Sequence, residues 1–365
     1  MRSKKSIMLL TQAFVLPAIS AMACNVPVFR YALERWPAYA YQAIVFYQGQ
    51  MDAGTKALVE ALQAGAEQTG ANLMVLTADT TALEPSFAEI WKTQTNATMP
   101  WLVVRYPEAT RIPWPALSEP LEAKVAGGLL DSPSRRQVAR NILRGDSMVW
   151  LVLEGTDTNK TAAVIAVLEK ESRRLEKVLR LPEMDESDPE ISSEIALKIA
   201  FSTVRVSRRD PAERVFVEML ARSDSSIVGD NDPLVFPIYG RGRALGLMHP
   251  SDVNSDLIER AAAFVTGACS CEVKALNPGA DLLFAADWDG GLQGRAVKDP
   301  ALPPLIGMGQ FAAPAPAATV SESATPAEPE QRGALARNLV VAGAVALLAL
   351  VVGTAVMRAK ANRQG

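Results

Sequence analysis

Short apolar runs alternate along this chain with segments of helical periodicity, and the alternation occurs twice. In residues 42–47, QAIVFY, β-branched and aromatic residues run on with little polar interruption, the pattern of a buried strand. Residues 54–68 follow with Leu58, Ala61 and Leu62 at helical spacing. ANLMVLTAD at 71–79 predicts another buried strand, and 85–91 a short helix. MPWLVVRYP at 99–107 predicts a third strand with a proline at its mouth. The prolines of 111–115 restrict that stretch to a short edge strand. Ser132 followed by Pro133 reads as the cap and first position of a helix over 135–143.

The second round begins with SMVWLVLEG at 147–155, a strand. A long helix is predicted over 159–179, with Ala163, Val167, Leu168, Leu175 and Leu179 inward. ALKIAFSTVRV at 196–206 is a strand, and Asp210-Pro211 opens a helix that runs to residue 222. DPLVFPIYG at 232–240 and RALGLM at 243–248 form a hairpin through Gly240-Arg241-Gly242. Ser251 caps a last helix, 252–266, which Gly267 ends. Before the first round, CNVPVFRYALERW at 24–36 is amphipathic and is expected to pack on the first domain.

Both rounds therefore read β-α-β-α-β-β-α. The expected fold is α/β, with two tandem domains at 24–145 and 146–300 and helices on both faces of each sheet. The element order, with a proline at the third strand, resembles the thioredoxin fold. That resemblance implies a cis peptide before Pro100 and before Pro233. It also implies a Cys-x-x-Cys at the N-terminus of the first helix, where the helix end lowers the thiol pKa. The corresponding stretches here are QGQMDAGTK and EGTDTNKTA, and neither contains a cysteine. The segments 24–36 and 267–288 also resemble those of a family of uncharacterised exported, membrane-anchored bacterial proteins. That resemblance implies an architecture and no mechanism.

The ends add an address. Arg2, Lys4 and Lys5 precede an apolar run at 7–19 and then Ala21-Met22-Ala23, the arrangement of a cleaved signal peptide over 1–23. Cleavage would make Cys24 the first mature residue. Its acylation stays open as the alternative to ordinary processing, which the small Ala21 favours. Residues 311–331, rich in Ala, Pro, Ser and Glu, read as an unfolded linker. Residues 339–357 are apolar or small throughout and long enough for one transmembrane helix. Arg358, Lys360 and Arg363 follow, which places the 358–365 tail in the cytoplasm and the body in the periplasm.

Charge and composition then narrow the chemistry. A formal net charge of −3 with no basic block gives nucleic acid nothing to grip. One histidine, His249, leaves a histidine-based triad or metal centre almost without material, and it reads as a turn residue. No cofactor motif stands out, since YGRGRAL lacks the Walker pattern and fits a hairpin turn. The remaining candidates are the three cysteines. In ACSCEVK at 268–274, Cys269 and Cys271 on an extended chain would share one face, about 6.6 Å apart at Cα. A bond between them would need a local bend. Three roles are open: a structural staple, with a bond to Cys24 as one form of it; a redox pair; or a soft-metal site for copper. The expected protein is a membrane-anchored, extracytoplasmic binding or assembly scaffold whose partner is another membrane or periplasmic protein. Thiol–disulfide exchange by Cys269 and Cys271, or copper carriage, are the alternatives.

Overall fold

The computed structural model describes residues 25–292, except 186, 187, 189, 190, 192, 193, 228–230 and 270–272. The expected leader, linker and membrane-spanning run lie outside the described residues. Among the described residues no helix is long and apolar enough to cross a membrane.

The chain begins with helix α1, Val28–Arg35. A first set of elements follows: β1 (Tyr41–Tyr47), α2 (Ala53–Thr69), β2 (Leu73–Asp79), α3 (Pro85–Lys92), β3 (Trp101–Arg105), β4 (Pro115–Pro120) and α4 (Ala123–Leu130). The sheet order is β2-β1-β3-β4. β1 and β2 are parallel, while β3 and β4 run antiparallel to their neighbours. The two-residue period of β1 sorts its side chains. Tyr41, Ala43 and Val45 face a core closed by Val59 and Leu62 of α2 and Val125 and Leu129 of α4. Ile44 and Phe46 face Phe87, Ile90 and Trp91 of α3. Asp52 starts α2 by accepting the N–H groups of Gly54 and Thr55. Gly70 ends it in the left-handed conformation that glycine takes without strain.

The second set is α5 (Pro133–Leu143), β5 (Met148–Leu153), α6 (Thr158–Val178), β6 (Phe201–Val206), α7 (Arg214–Ala221), β7 (Leu234–Tyr239), β8 (Arg243–Ala244), α8 (Ser255–Thr266) and β9 (Ala280–Asp281). A one-turn helix, α9, covers Trp288–Gly291. The five strands lie in the order β6-β5-β7-β8-β9. Again the first two strands of the set, β5 and β6, are parallel, and β7 and β8 return antiparallel. Every residue of β5 is buried. Trp150 and Val152 face α6 and α8, and Val149, Leu151 and Leu153 face α5 and α7. The protein is thus an α/β structure of two mixed sheets, four- and five-stranded, interleaved with helices. The first four strands of each follow one order.

Several expectations are corrected. The edge strand expected at 111–115 forms instead over Pro115–Pro120, and α4 was not foreseen. β4 contains little β-branched or aromatic material, and its existence follows from pairing with β3 rather than from local propensity. The helix starting at Pro133 was expected to close the first domain. Its Val138, Ala139 and Ile142 are buried on the second sheet, and α4 closes the first. α1 likewise packs on the second sheet: Val28, Phe29, Tyr31 and Ala32 share a core with Trp150, Tyr239 and Ile258. The last helix begins at Ser255 under an Asn254 cap, after a separate 3₁₀ turn at Pro250–Asp252. The Met99–Pro100 peptide is cis. Asp232–Pro233 is not, contrary to the expectation for Pro233. There the preceding chain is held by its neighbours, with the Asn231 carbonyl accepting from Thr156 N at 2.9 Å and the Asp232 carboxylate from Lys160 at 2.8 Å.

The two sheets belong to one compact unit. α7 lies between them, with Val215 and Met219 in the first core and Phe216 and Leu220 in the second. The segment after β9 does the same in three consecutive residues. Leu283 enters the first core, and Leu282 and Phe284 enter the second.

Candidate functional site

Two turns lie where a strand delivers the chain to a helix N-terminus beside the proline of the third strand. In the first, Phe46 pairs with Trp101, so Tyr47 stands opposite Pro100 at the sheet end. Gly49 follows at φ +67°, its N–H donating to Asp79 at 2.9 Å, and a side chain added to it would meet nothing within 4 Å. Asp52 then caps α2, and its carboxyl is held below the ordinary value by hydrogen bonds from the Thr55 hydroxyl and amide. Met99 beside the cis bond is 36% exposed. This end of the first sheet is open.

The second turn is built from the same parts and is closed. Leu153 pairs with Leu234, so Glu154 stands opposite Pro233. Gly155 is pressed against that segment: a Cβ there would lie 2.7 Å from Pro233 N and 2.8 Å from the Asn231 carbonyl. Thr156 N donates to Asn231, Arg208 Nε donates to the Glu154 carbonyl at 2.8 Å, and Lys160 pairs with Asp232. Neither turn presents a thiol. Thr55 donates to Asp52, and the Thr161 hydroxyl donates to the Asp157 carbonyl at 3.0 Å.

The cysteines occupy a different place. Gly267 leaves α8 in an extended conformation, and Ala268 forms an antiparallel bridge with Pro27. Cys269 N donates to the Val26 carbonyl and Val28 N to the Gly267 carbonyl, each at 2.9 Å. The Cys269 side chain is fully buried among Val26, Trp150 and Val265. Cys24 and Cys271 lie outside the described residues. Backbone segments from opposite ends of the described chain, Val26–Val28 and Gly267–Cys269, are thus tied together. The amphipathic pattern of 24–36 held the only sequence signal for this, and it does not name the face that receives it.

Asp188 fastens the start of that strap. Its carboxylate accepts from Asn25 N at 2.6 Å, Asn25 Nδ2 at 3.2 Å and Asp185 N at 2.8 Å. These bonds, the Asn25 amide first, hold its pKa below the ordinary 3.8. The folded carboxyl binds its proton less tightly than the unfolded one. Its stabilising contribution is complete above the unfolded value and is lost as pH falls through the folded one. The Asn25 amide resonance is expected to titrate with a midpoint below 3.8 in an NMR pH series. A midpoint at or above that value would separate Asp188 from the strap.

His249 precedes the Pro250–Asp252 turn, as its sequence position indicated, and its Nε2 lies 3.1 Å from Ser226 Oγ. Asp224 accepts from Ser226 N at 2.8 Å, so these groups link two exposed turns. Gly240 and Gly242, both at positive φ, make the β7–β8 hairpin of YGRGRAL. Among the described residues no group of three or more His, Cys, Asp or Glu side chains could hold a metal ion.

The polar groups that sequence reasoning missed are at the junction of the two sheets. Arg135 of α5, buried, donates to the carbonyls of Leu129 at 2.8 Å, Leu283 at 3.1 Å and Gly128. Its Cζ stands 5.1 Å from the centre of the Phe216 ring. Burial pushes its pKa down to about 10. Buried Glu213 accepts from the hydroxyls of Ser132 and Ser134 and from Ser134 N at 2.7 Å. Asp281 of β9 accepts from Arg243 at 3.0 Å, from Tyr39 N at 2.6 Å and from Lys274. Beside it is a cavity of about 200 Å³ lined by Tyr41, Tyr106, Ile112, Phe236 and Leu247. Both tyrosine hydroxyls are spent on backbone, Tyr41 on the Asp281 carbonyl and Tyr106 on that of Met219. Burial raises both tyrosine pKa values, so neither is a ready base. No sequence signal marked these residues, because each has at least one partner far away in the chain.

Comparison with protein-family models finds none that matches this chain, and no curated protein is similar to it at a significant level.

Proposed function

We propose that this protein is a non-catalytic binding or assembly scaffold of two thioredoxin-like modules. It is held outside the cytoplasmic membrane by the C-terminal apolar run, and its partner is another membrane or periplasmic protein. The thioredoxin-like reading rests on the shared strand order, on helices α2 and α4 facing α3 across one sheet, and on α6 and α8 facing α7 across the other. The observation that carries the absence of thiol chemistry is the pair of turns at the sheet ends. The first has Gln48-Gly49-Gln50-Met51 where an attacking thiol would have to stand, and the second is occupied by its own backbone. Complete burial of Cys269 argues in the same direction, since an exchanging thiolate must be reached by its substrate.

The test uses the full chain in its native membrane. A Cys269→Ser, Cys271→Ser double variant that keeps the wild-type circular dichroism is expected to retain the wild-type set of cross-linked neighbours. Neither single variant should trap a mixed disulfide. Intact mass before and after reduction and alkylation reads the processing of Cys24 and the pairing of all three cysteines together. Trapped mixed disulfides would put the exchanger first. Copper leaving with the two thiols would put the metal carrier first.

A further inference from the structure

On the first module, a groove of about 530 Å³ runs between the C-terminal end of α3 and the start of β4. Its lining includes Thr93, Gln94, Trp101, Trp114, Ser118 and Arg222. We propose that this groove binds a saccharide chain. The proposal goes beyond the scaffold reading and does not depend on the cysteines.

The two indoles are the reason. Trp101 Nε1 donates to Ser118 Oγ at 3.1 Å and to Gln94 Oε1 at 3.3 Å. The Ser118 hydroxyl donates to Gln94 Oε1, and Gln94 Nε2 donates to the Ile90 carbonyl and Thr93 Oγ1. Trp114 Nε1 donates to the Arg222 carbonyl at 2.6 Å. Both rings are therefore fixed by their N–H groups before any ligand arrives. What each leaves to a ligand is carbon surface. Trp114 stands between two prolines that stiffen its backbone and is 38% exposed, so part of its ring is open to a ligand.

Fixed aromatic surface bordered by hydroxyl, amide and guanidinium groups matches a pyranose, which has a C–H face and a rim of hydroxyls. A proline-rich peptide would also stack on the rings. Its backbone is solvated and carries no rim of hydroxyls, and decaproline in the titration below separates the two ligands. Arg222 is the one charged side chain among the described lining residues, and its Nε is already bonded to Glu218 at 2.6 Å. That leaves the groove suited to neutral or weakly acidic sugars rather than to polyanions. Its volume lies within the range of ordinary ligand pockets.

The experiment is calorimetric titration of the full chain, solubilised in a detergent without a sugar headgroup, with maltotetraose, cellotetraose, chitotetraose and decaproline. At least one tetrasaccharide is expected to bind. Trp114→Ala should weaken it about tenfold or more, as loss of a central aromatic contact does. Trp114→Phe, which keeps a stacking face, should recover most of the affinity. Arg222→Met, which keeps the carbonyl that holds Trp114, tests the rim by itself and should weaken binding less. The proposal fails if no tetrasaccharide binds, if Trp114→Ala binds as well as wild type, or if decaproline alone binds.

Discussion

Replacing Arg135 by alanine is expected to destabilise the protein by about 3–5 kcal/mol, the usual cost of breaking a buried charged network from one side. The guanidinium closes three things at once. Leu129 and Gly128 lie in the last turn of α4, whose carbonyls have no partner within the helix. Leu283 belongs to the segment that returns between the modules. Removing the fork strands three acceptors and leaves Glu213 nearby without the compensating charge. Arg135→Lys should restore only part of the loss, because a single ammonium cannot reach three carbonyls with planar geometry. Urea unfolding followed by tryptophan fluorescence reads this directly. A midpoint unchanged in Arg135→Ala would mean that the junction does not depend on this residue. The predicted loss is a large share of the 5–15 kcal/mol that domains of ordinary stability possess.

The second large effect is expected at Phe284, where alanine should cost about 3–5 kcal/mol. Its ring is enclosed by Phe216 and Trp288, with centroids 6.4 and 6.0 Å away. The approach on another side is so close that a Cβ on Gly242 would lie 2.4 Å from the ring. Its backbone is tied across to the first module, since Phe284 N donates to Asn72 Oδ1 at 2.9 Å and Asn72 N to the Phe284 carbonyl at 3.3 Å. The truncation therefore loosens the second core at the place where the first is attached. Fluorescence and far-UV circular dichroism should still report one coincident transition in Phe284→Ala, displaced to lower denaturant. Two separated transitions would show that the modules unfold independently and that the shared segment does not couple them.

Buried strands and long helices could be read directly from the chain. QAIVFY, MVWLVL and the helix capped by Asp157 announce themselves, because burial on both sheet faces leaves a continuous apolar run and an amphipathic helix repeats every three or four residues. The glycines of YGRGRAL were legible for a comparable reason, since positive φ at a hairpin selects glycine locally. β4 and α4 were not, because PALSEP and AKVAGGLL have little intrinsic preference and take their form from β3 and α2.

What the candidate sites contain divides along the same line. The lack of a thiol in both sheet-end turns is a property of the residues alone, and so is the scarcity of histidine. That one turn is open and the other filled by Asn231 and Pro233 is a property of the fold. So is the placement of α1 and α5 on the second sheet, since an apolar stripe specifies burial without specifying a partner. The Trp101–Ser118–Gln94 network and the Arg135 junction required chain segments distant in sequence to meet. Local pattern carries no information about such meetings, because hydrophobic burial is non-directional and only the tertiary arrangement decides which polar groups end up within hydrogen-bonding distance.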